Sequence, residues 1–285
     1  MENNLDNKIK NIIIVTSGKG GVGKSTVSVN IAVSLAKKGY KTGLLDADIY
    51  GPSIPIMMGL TNQKPQVEEL PDGKQIFTPY EKYGVKVSSI GFFIHPEQAM
   101  VWRGPLAASV FTQLLNDNRW GDLDYLIIDA PPGTGDIQLS LVQSVPVTGA
   151  VIVTTPQEVA VVDARKAVNM FKNPDIKVPI LGLVENMSWF TPKELPNNKY
   201  YIFGKNGGAE AAEKLHVTLL GQIPIIQGIC EDSDNGTPSV LEDEEYSEIF
   251  GELTDNLIEI VDIRNSVLKP TEPVKTDPNA AGCDA

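Results

Sequence analysis

Residues 18–25 read Gly-Lys-Gly-Gly-Val-Gly-Lys-Ser, a complete Gly-x-x-x-x-Gly-Lys-Ser/Thr pattern. The apolar run Ile12-Ile13-Ile14-Val15 precedes it, and a helical pattern carrying Val27, Ile31, Val33 and Leu35 follows. Nothing else in the chain limits the fold so tightly. A glycine loop between a strand and a helix lets backbone N–H groups wrap phosphate oxygens, with the positive end of the helix dipole behind them. Gly18, Gly20, Gly21 and Gly23, together with Val22, would form that cradle. Lys24 is expected to reach the β- and γ-phosphates of ATP, and Ser25 to offer its hydroxyl to Mg2+. A chance glycine turn would have to meet every fixed position of the pattern in the same strand-to-helix context.

Short Ile- and Val-rich runs alternate with helical patterns from about residue 11 to 221, the signature of βαβ units and a parallel sheet. Strands are predicted at 11–16, 42–46, 85–90, 124–129, 149–154, 179–184 and 218–221. Helices are predicted at 24–38, 105–119, 158–172, 208–215 and 243–262. The fold class is therefore α/β, a doubly wound, mostly parallel sheet with helices on both faces. Residues 61–84, with Pro65, Pro71, Gly73 and Pro79, read as an irregular excursion with room for a short hairpin. A short N-terminal arm over 1–10, one domain over 11–264 and a flexible tail over 265–285 divide the chain, the tail marked by Pro270, Pro273 and Pro278.

Composition removes several function classes. The apolar runs have strand length, far short of the roughly 20 residues a membrane span needs. Met1-Glu2-Asn3-Asn4 lacks the basic and apolar regions of a signal peptide. A cytoplasmic protein with no membrane partner is expected. Lys and Arg number 24 against 36 Asp and Glu, a net charge of -12, which argues against a nucleic-acid partner. Two cysteines, Cys230 and Cys283, cannot make a disulfide framework and fit a reducing compartment.

Acidic strand ends supply candidates for handling metal and water. Leu44-Leu45-Asp46-Ala47-Asp48 places two carboxylates two residues apart, pointing the same way on extended backbone. At the carboxyl edge of an α/β sheet they face the ligand crevice. Alone, such a pair is a common turn former; following a phosphate-loop helix, it reads as a ligand site. Tyr125-Leu126-Ile127-Ile128-Asp129 is an apolar strand ending in a carboxylate that can accept from an Mg2+-bound water. Residues 130–136, Ala-Pro-Pro-Gly-Thr-Gly-Asp, join stiff prolines to free glycines. That suits a loop sensing the γ-phosphate, and equally a turn into a helix capped by Asp136.

Lys19 makes the string from Gly18 through Thr26 resemble the deviant Walker A group of P-loop nucleoside triphosphatases, which includes MinD, ParA, ArsA and the nitrogenase iron protein. The resemblance implies a homodimer with nucleotides at the interface, Lys19 crossing to the partner's nucleotide. It also implies that Asp48 positions the attacking water and that Asp46 supports the Mg2+ shell. Further strings are similar to the Mrp/ApbC family: Asp46 through Pro55, Trp102-Arg103-Gly104-Pro105, Asp129 through Asp136 and Glu185-Asn186-Met187-Ser188. Ile202-Phe203-Gly204 and Gly221-Gln222-Ile223-Pro224 complete the set. By that likeness Asn186, whose amide carries both donor and acceptor, contacts adenine with Pro224 packed nearby. The resemblance covers about 11–260 and implies slow ATP hydrolysis serving iron–sulfur cluster assembly or transfer, with acceptor or scaffold proteins as partners. Many members carry a small domain ahead of the ATPase; with the loop's strand beginning near Lys10, that domain is expected to be missing or to belong to a separate segment.

At one point the chain departs from that family. Members are thought to hold a cluster on a Cys-x-x-Cys lying between the Glu-Asn-Met-Ser and Phe-Gly segments, a pair from each chain of a dimer. Here Trp189 through Tyr201 contain no cysteine. Any iron–sulfur cluster is therefore expected to be held weakly and to depend on Cys230 or Cys283. Cys230, after Ile225-Ile226, reads as core filler, which favours Cys283 on its mobile tail. His95 and His216 show no metal-ligand spacing. A ParA- or MinD-like positioning ATPase is opposed by the negative charge and by Pro270 and Pro273, which break any basic amphipathic end helix. A nucleotide-gated adaptor that carries no cluster stays open.

Overall fold

The computed structural model describes residues 7–71, 73–93 and 104–273, with backbone alone for 104–109, 136, 137, 140 and 144. His95, Trp102, Arg103 and Cys283 lie outside the described residues. The first half of the chain forms β1 (Lys8–Ser17), α1 (Lys24–Lys37), β2 (Thr42–Asp46), α2 (Ile54–Met57), β3 (Gln66–Glu69), β4 (Gln75–Thr78), β5 (Tyr80–Lys82), β6 (Val85–Ser89), α3 (Gly104–Asn116) and β7 (Asp122–Asp129). The second half forms α4 (Asp136–Ser144), β8 (Gly149–Thr154), α5 (Glu158–Lys172), β9 (Ile180–Phe190), α6 (Gly207–Leu215), β10 (Leu219–Ile225), α7 (Gln227–Asp234) and α8 (Glu244–Val267).

β1 is buried from Asn11 to Ser17, as a strand covered on both faces must be. Successive side chains of a strand point to opposite faces. Ile13 and Val15 accordingly join one apolar layer, with Val27, Ile31 and Leu35 of α1 and Phe250 and Leu257 of α8. Ile12 and Ile14 join the other, with Phe111 and Leu115 of α3, Leu141 of α4, and Ala164 and Phe171 of α5. Each fully buried Leu, Ile or Phe side chain contributes about 1.5–3 kcal/mol, so these two layers are the main stabilisation of the sheet.

The main sheet runs β10-β9-β8-β1-β7-β2-β6-β5. All neighbours are parallel except β5, which closes the edge antiparallel to β6. With β1 between β7 and β8, the loops leaving β1, β2, β7 and β8 meet at one carboxyl edge, where α/β sheets place ligands. The excursion after β2 contains the separate hairpin β3–β4, in the segment expected to be irregular.

Several boundaries differ from the sequence reading. β1 starts at Lys8, within the expected N-terminal arm, and α8 continues to Val267, into the expected tail. α2, α4, α7 and β5 had no counterpart in the reading, and β9 runs on to Phe190 instead of ending at 184. Among the described residues no helix is long and apolar enough to cross a membrane.

Candidate nucleotide site

The glycine loop spans the gap between the end of β1 at Ser17 and the start of α1 at Lys24. Gly21 and Gly23 have φ of 79° and 81°, left-handed values that only glycine adopts cheaply. Gly18 is required for another reason: a Cβ there would lie 2.1 Å from the Asp163 carbonyl carbon of α5. An added Cβ at Gly20 or Gly21 meets nothing within 4 Å, so that side of the loop is open. Ser17 Oγ donates to the Lys19 carbonyl at 2.8 Å and braces the turn.

Behind the loop lies a buried charged centre. Lys24 is 6% exposed, and its Nζ stands 2.8 Å from Asp129 Oδ2 and 3.5 Å from Asp48 Oδ2. Ser25 Oγ donates to Asp129 Oδ2 at 2.6 Å, and Ser28 Oγ to Asp129 Oδ1 at 2.6 Å. Sheet register explains the convergence, since Asp129 pairs with both Asp46 of β2 and Val15 of β1. Burial works against the Lys24 charge, but Asp129, Asp48 and Asp46 outweigh it, and the pKa is raised. For Asp48, burial dominates and Asp129 adds to it against the attraction of Lys24, so its carboxyl is raised too.

Asp46 is fully buried. Its Oδ2 accepts from Ser89 Oγ at 2.9 Å and from Ile54 N at 3.3 Å, while Oδ1 accepts from Asp48 N at 3.1 Å. These bonds tie the 48–54 loop to β2 and β6. Burial first, then the nearby Asp129, push Asp46 up to about 8 from the ordinary 3.8. A raised carboxyl means the folded protein binds this proton more tightly than the unfolded chain, so stability falls as pH rises through that window. Nucleotide-free and metal-free protein is therefore expected to lose stability between about pH 4 and 8. Asp46→Asn, which mimics the neutral carboxyl, should flatten that slope; denaturant midpoints across the range test it, and an unchanged slope in the variant removes Asp46 as the cause.

The remaining candidates surround this centre. Lys19 is half-buried and makes no ion pair among the described residues. Asn186 Nδ2 donates to the Val22 carbonyl at 2.9 Å, which places it against the glycine loop itself. Pro224 is buried in β10. The 130–135 loop is held to β1 through Ala130 N to Val15 O at 3.0 Å and Gly133 N to Ser17 O at 2.8 Å. A cavity of about 540 Å3, lined in part by Lys41, Lys82, Lys86 and Asp122, opens at the opposite, amino edge of the sheet and touches none of these groups.

The family model described as "ParA: NUBPL iron-transfer P-loop NTPase" matches residues 8–258. The chain belongs to this family. An iron-sulfur cluster carrier protein of Synechocystis is 51% identical over 234 residues, 82% of this chain and 65% of its own length. Its Escherichia coli counterpart is 49% identical over 253 residues, 88% of this chain and 67% of its own length. The chain thus spans about two thirds of the curated relatives it matches. A nucleotide-binding protein of Archaeoglobus fulgidus, solved in complex with ADP, is 39% identical with a TM-score of 0.71, covering 85% of this chain and 92% of that one.

In this P-loop NTPase, the segment after Asn186 carries no cysteine through Phe203. β9 continues through Trp189 to Phe190, which exchanges two backbone hydrogen bonds of 2.8 Å with Tyr200. The ammonium of Lys199 lies 3.7 Å over the Trp189 ring. The hairpin so formed holds no thiol, and among the described residues no group of three or more His, Cys, Asp or Glu side chains is placed to hold a metal ion. Cys230 corrects the sequence reading. It is exposed on α7, with Sγ 3.8 Å from Asp234 Oδ2, and not core filler. Ser28 and Ser89 were missed, although Ser28 follows Ser25 by three residues and so shares its helical face.

Proposed function

We propose that the chain binds Mg-ATP as a homodimer, hydrolyses it slowly, and uses that cycle in iron–sulfur cluster assembly or transfer in the cytoplasm. The observation that carries the nucleotide reading is the buried Lys24–Asp129–Ser25 centre behind an open glycine loop. The donor set fits the group: the glycine loop's backbone N–H groups and the Lys24 ammonium for phosphates, and hard oxygens for Mg2+. Gly18 through Thr26 would hold the phosphates, with Ser25 and Asp129, and Asp46 behind them, serving the metal. Bound Mg2+ supplies charge neutralisation at the phosphates. Asp48, already within reach of the Lys24 ammonium, orients and accepts from the attacking water. Asn186 and Pro224 would flank the base, and Asn186 would then exchange or share its bond to Val22.

Lys19 would act in trans, in the manner of an arginine finger. Lys19→Ala should leave the monomer folded and weaken ATP-dependent dimerisation or turnover. Mixing it with Lys24→Ala tests the assignment; defects that stay independent in mixed dimers count against an interface role.

The cluster reading rests on the names of the relatives, and the cluster is cargo. Weak loading is expected, because hydroxyl and amide groups of the 189–201 hairpin are poor ligands for iron–sulfur chemistry. Anaerobic reconstitution with iron and sulfide, with iron counted per dimer, should give little cluster, and less in Cys230→Ser and Cys283→Ser. A stoichiometric cluster surviving in the double variant overturns the dependence on cysteine. The same cysteine-free hairpin favours one second reading, a nucleotide-gated adaptor that carries no cluster and is recognised by complete failure to load.

A further inference from the structure

The first turn of α4 carries Gln138, whose side chain is 3% exposed. Its Nε2 donates to the Pro131 carbonyl at 2.9 Å and to Thr16 Oγ1 at 2.7 Å. A proline carbonyl can only accept, which fixes the amide orientation. Thr16 is fully buried in β1, two residues before the glycine loop. Gln138 therefore ties the 130–135 loop to the strand that presents the phosphate cradle. The two other described ties, Ala130 to Val15 and Gly133 to Ser17, are backbone bonds. Gln138 makes the link that a side chain can set or lose.

Its other end is unsettled. Gln138 Oε1 is buried and has no hydrogen-bond partner among the described residues. Leaving a buried acceptor unmade forfeits its hydration without return, and with only Nε2 bonded the amide is half satisfied. A half-satisfied buried group favours any rearrangement that brings it a donor. The 130–135 loop beside it turns at Gly133, whose φ of 100° lies in the left-handed region.

We infer that Gln138 is a positioning residue: it holds the 130–135 loop in register with the glycine loop, and its open acceptor is completed when the loop shifts toward a bound triphosphate. This rests on the reading that the site binds and hydrolyses ATP. Gln138 touches no reacting atom in this role; it acts through the loop.

Two full-length variants separate positioning from packing. Gln138→Glu keeps the size but sets a carboxylate against the Pro131 carbonyl, and Gln138→Leu removes polarity. The readouts are kcat and KM for Mg-ATP, affinities for ADP and for a non-hydrolysable ATP analogue, and Tm. In both variants kcat should fall about tenfold or more. ADP affinity should stay within about twofold, because the cradle is untouched, while the preference for the triphosphate analogue over ADP falls. Parental kcat with an unchanged preference in both variants overturns the inference. So does a common loss of ADP affinity, analogue affinity and Tm, the mark of a merely structural tie. Should the parent bind ATP without hydrolysing it, the proposed hydrolysis fails while the affinity preference still decides for or against Gln138. A parent that binds no nucleotide overturns both.

Discussion

Lys24→Ala is expected to weaken Mg-ATP binding by about a hundredfold or more, since losing charge-assisted bonds to phosphate removes roughly 3 kcal/mol. The ammonium also neutralises the protein's own acids. It sits 2.8 Å from Asp129, which is 0% exposed, and 3.5 Å from Asp48. Removing one partner of a buried ion pair destabilises by about 3–5 kcal/mol. Ser25 and Ser28 still donate to Asp129, which should place the loss near the lower figure. The nucleotide-free variant should therefore melt earlier than the parent while retaining native secondary structure. Calorimetric titration with Mg-ATP, beside thermal melts, reads both effects. Parent-like affinity in a folded Lys24→Ala would show that this lysine does not face the phosphates.

Asp48→Asn should separate binding from turnover. The amide oxygen can still accept from Tyr50 N, as Asp48 Oδ1 does at 3.3 Å, so the 48–54 loop keeps its shape. The lost group is the base. General-base removal typically costs about 10²–10⁴ in rate, and kcat should fall by that order with KM changed only a few-fold. Nucleotide affinity should hold or rise, because one carboxylate of the cluster around Lys24 no longer opposes the phosphates. A variant that turns over at the parental rate would displace Asp48 from the water-handling role.

Much of this centre could be read from the chain because its chemistry is local in sequence. Gly18 through Ser25 lie between one strand and one helix, and Asp46 and Asp129 end apolar runs, so strand register alone brings them together. Groups that reach the site through tertiary contact were not legible. Ser89 meets Asp46 across 43 residues, and Gln138 meets Thr16 across 122. α4 itself was hidden, being nine residues long directly behind a proline- and glycine-rich loop. The apolar neighbours of Cys230 misled for a topological reason. Ile225 ends β10 in the sheet, whereas α7 starts at Gln227 and turns the cysteine outward. β9 outran its predicted end because Glu185 and Asn186 go on pairing with Gln222 and Ile223 of β10, after which a left-handed Met187 (φ 57°) and a register shift between Ile223 and Ile225 break the regular pattern. Beyond that irregularity the strand is prolonged by pairing Phe190 with Tyr200, a partner that no periodicity in 185–190 announces.

Calorimetric titration of nucleotide into the full chain, with and without Mg2+, bears most directly on the proposed site. Saturable binding of one ATP per chain is expected, weakened when EDTA removes the metal served by Ser25 and Asp129, and weakened about a hundredfold or more by Lys24→Ala. No saturable binding, or binding indifferent to both Mg2+ and Lys24, would contradict a Mg-ATP site at the glycine loop.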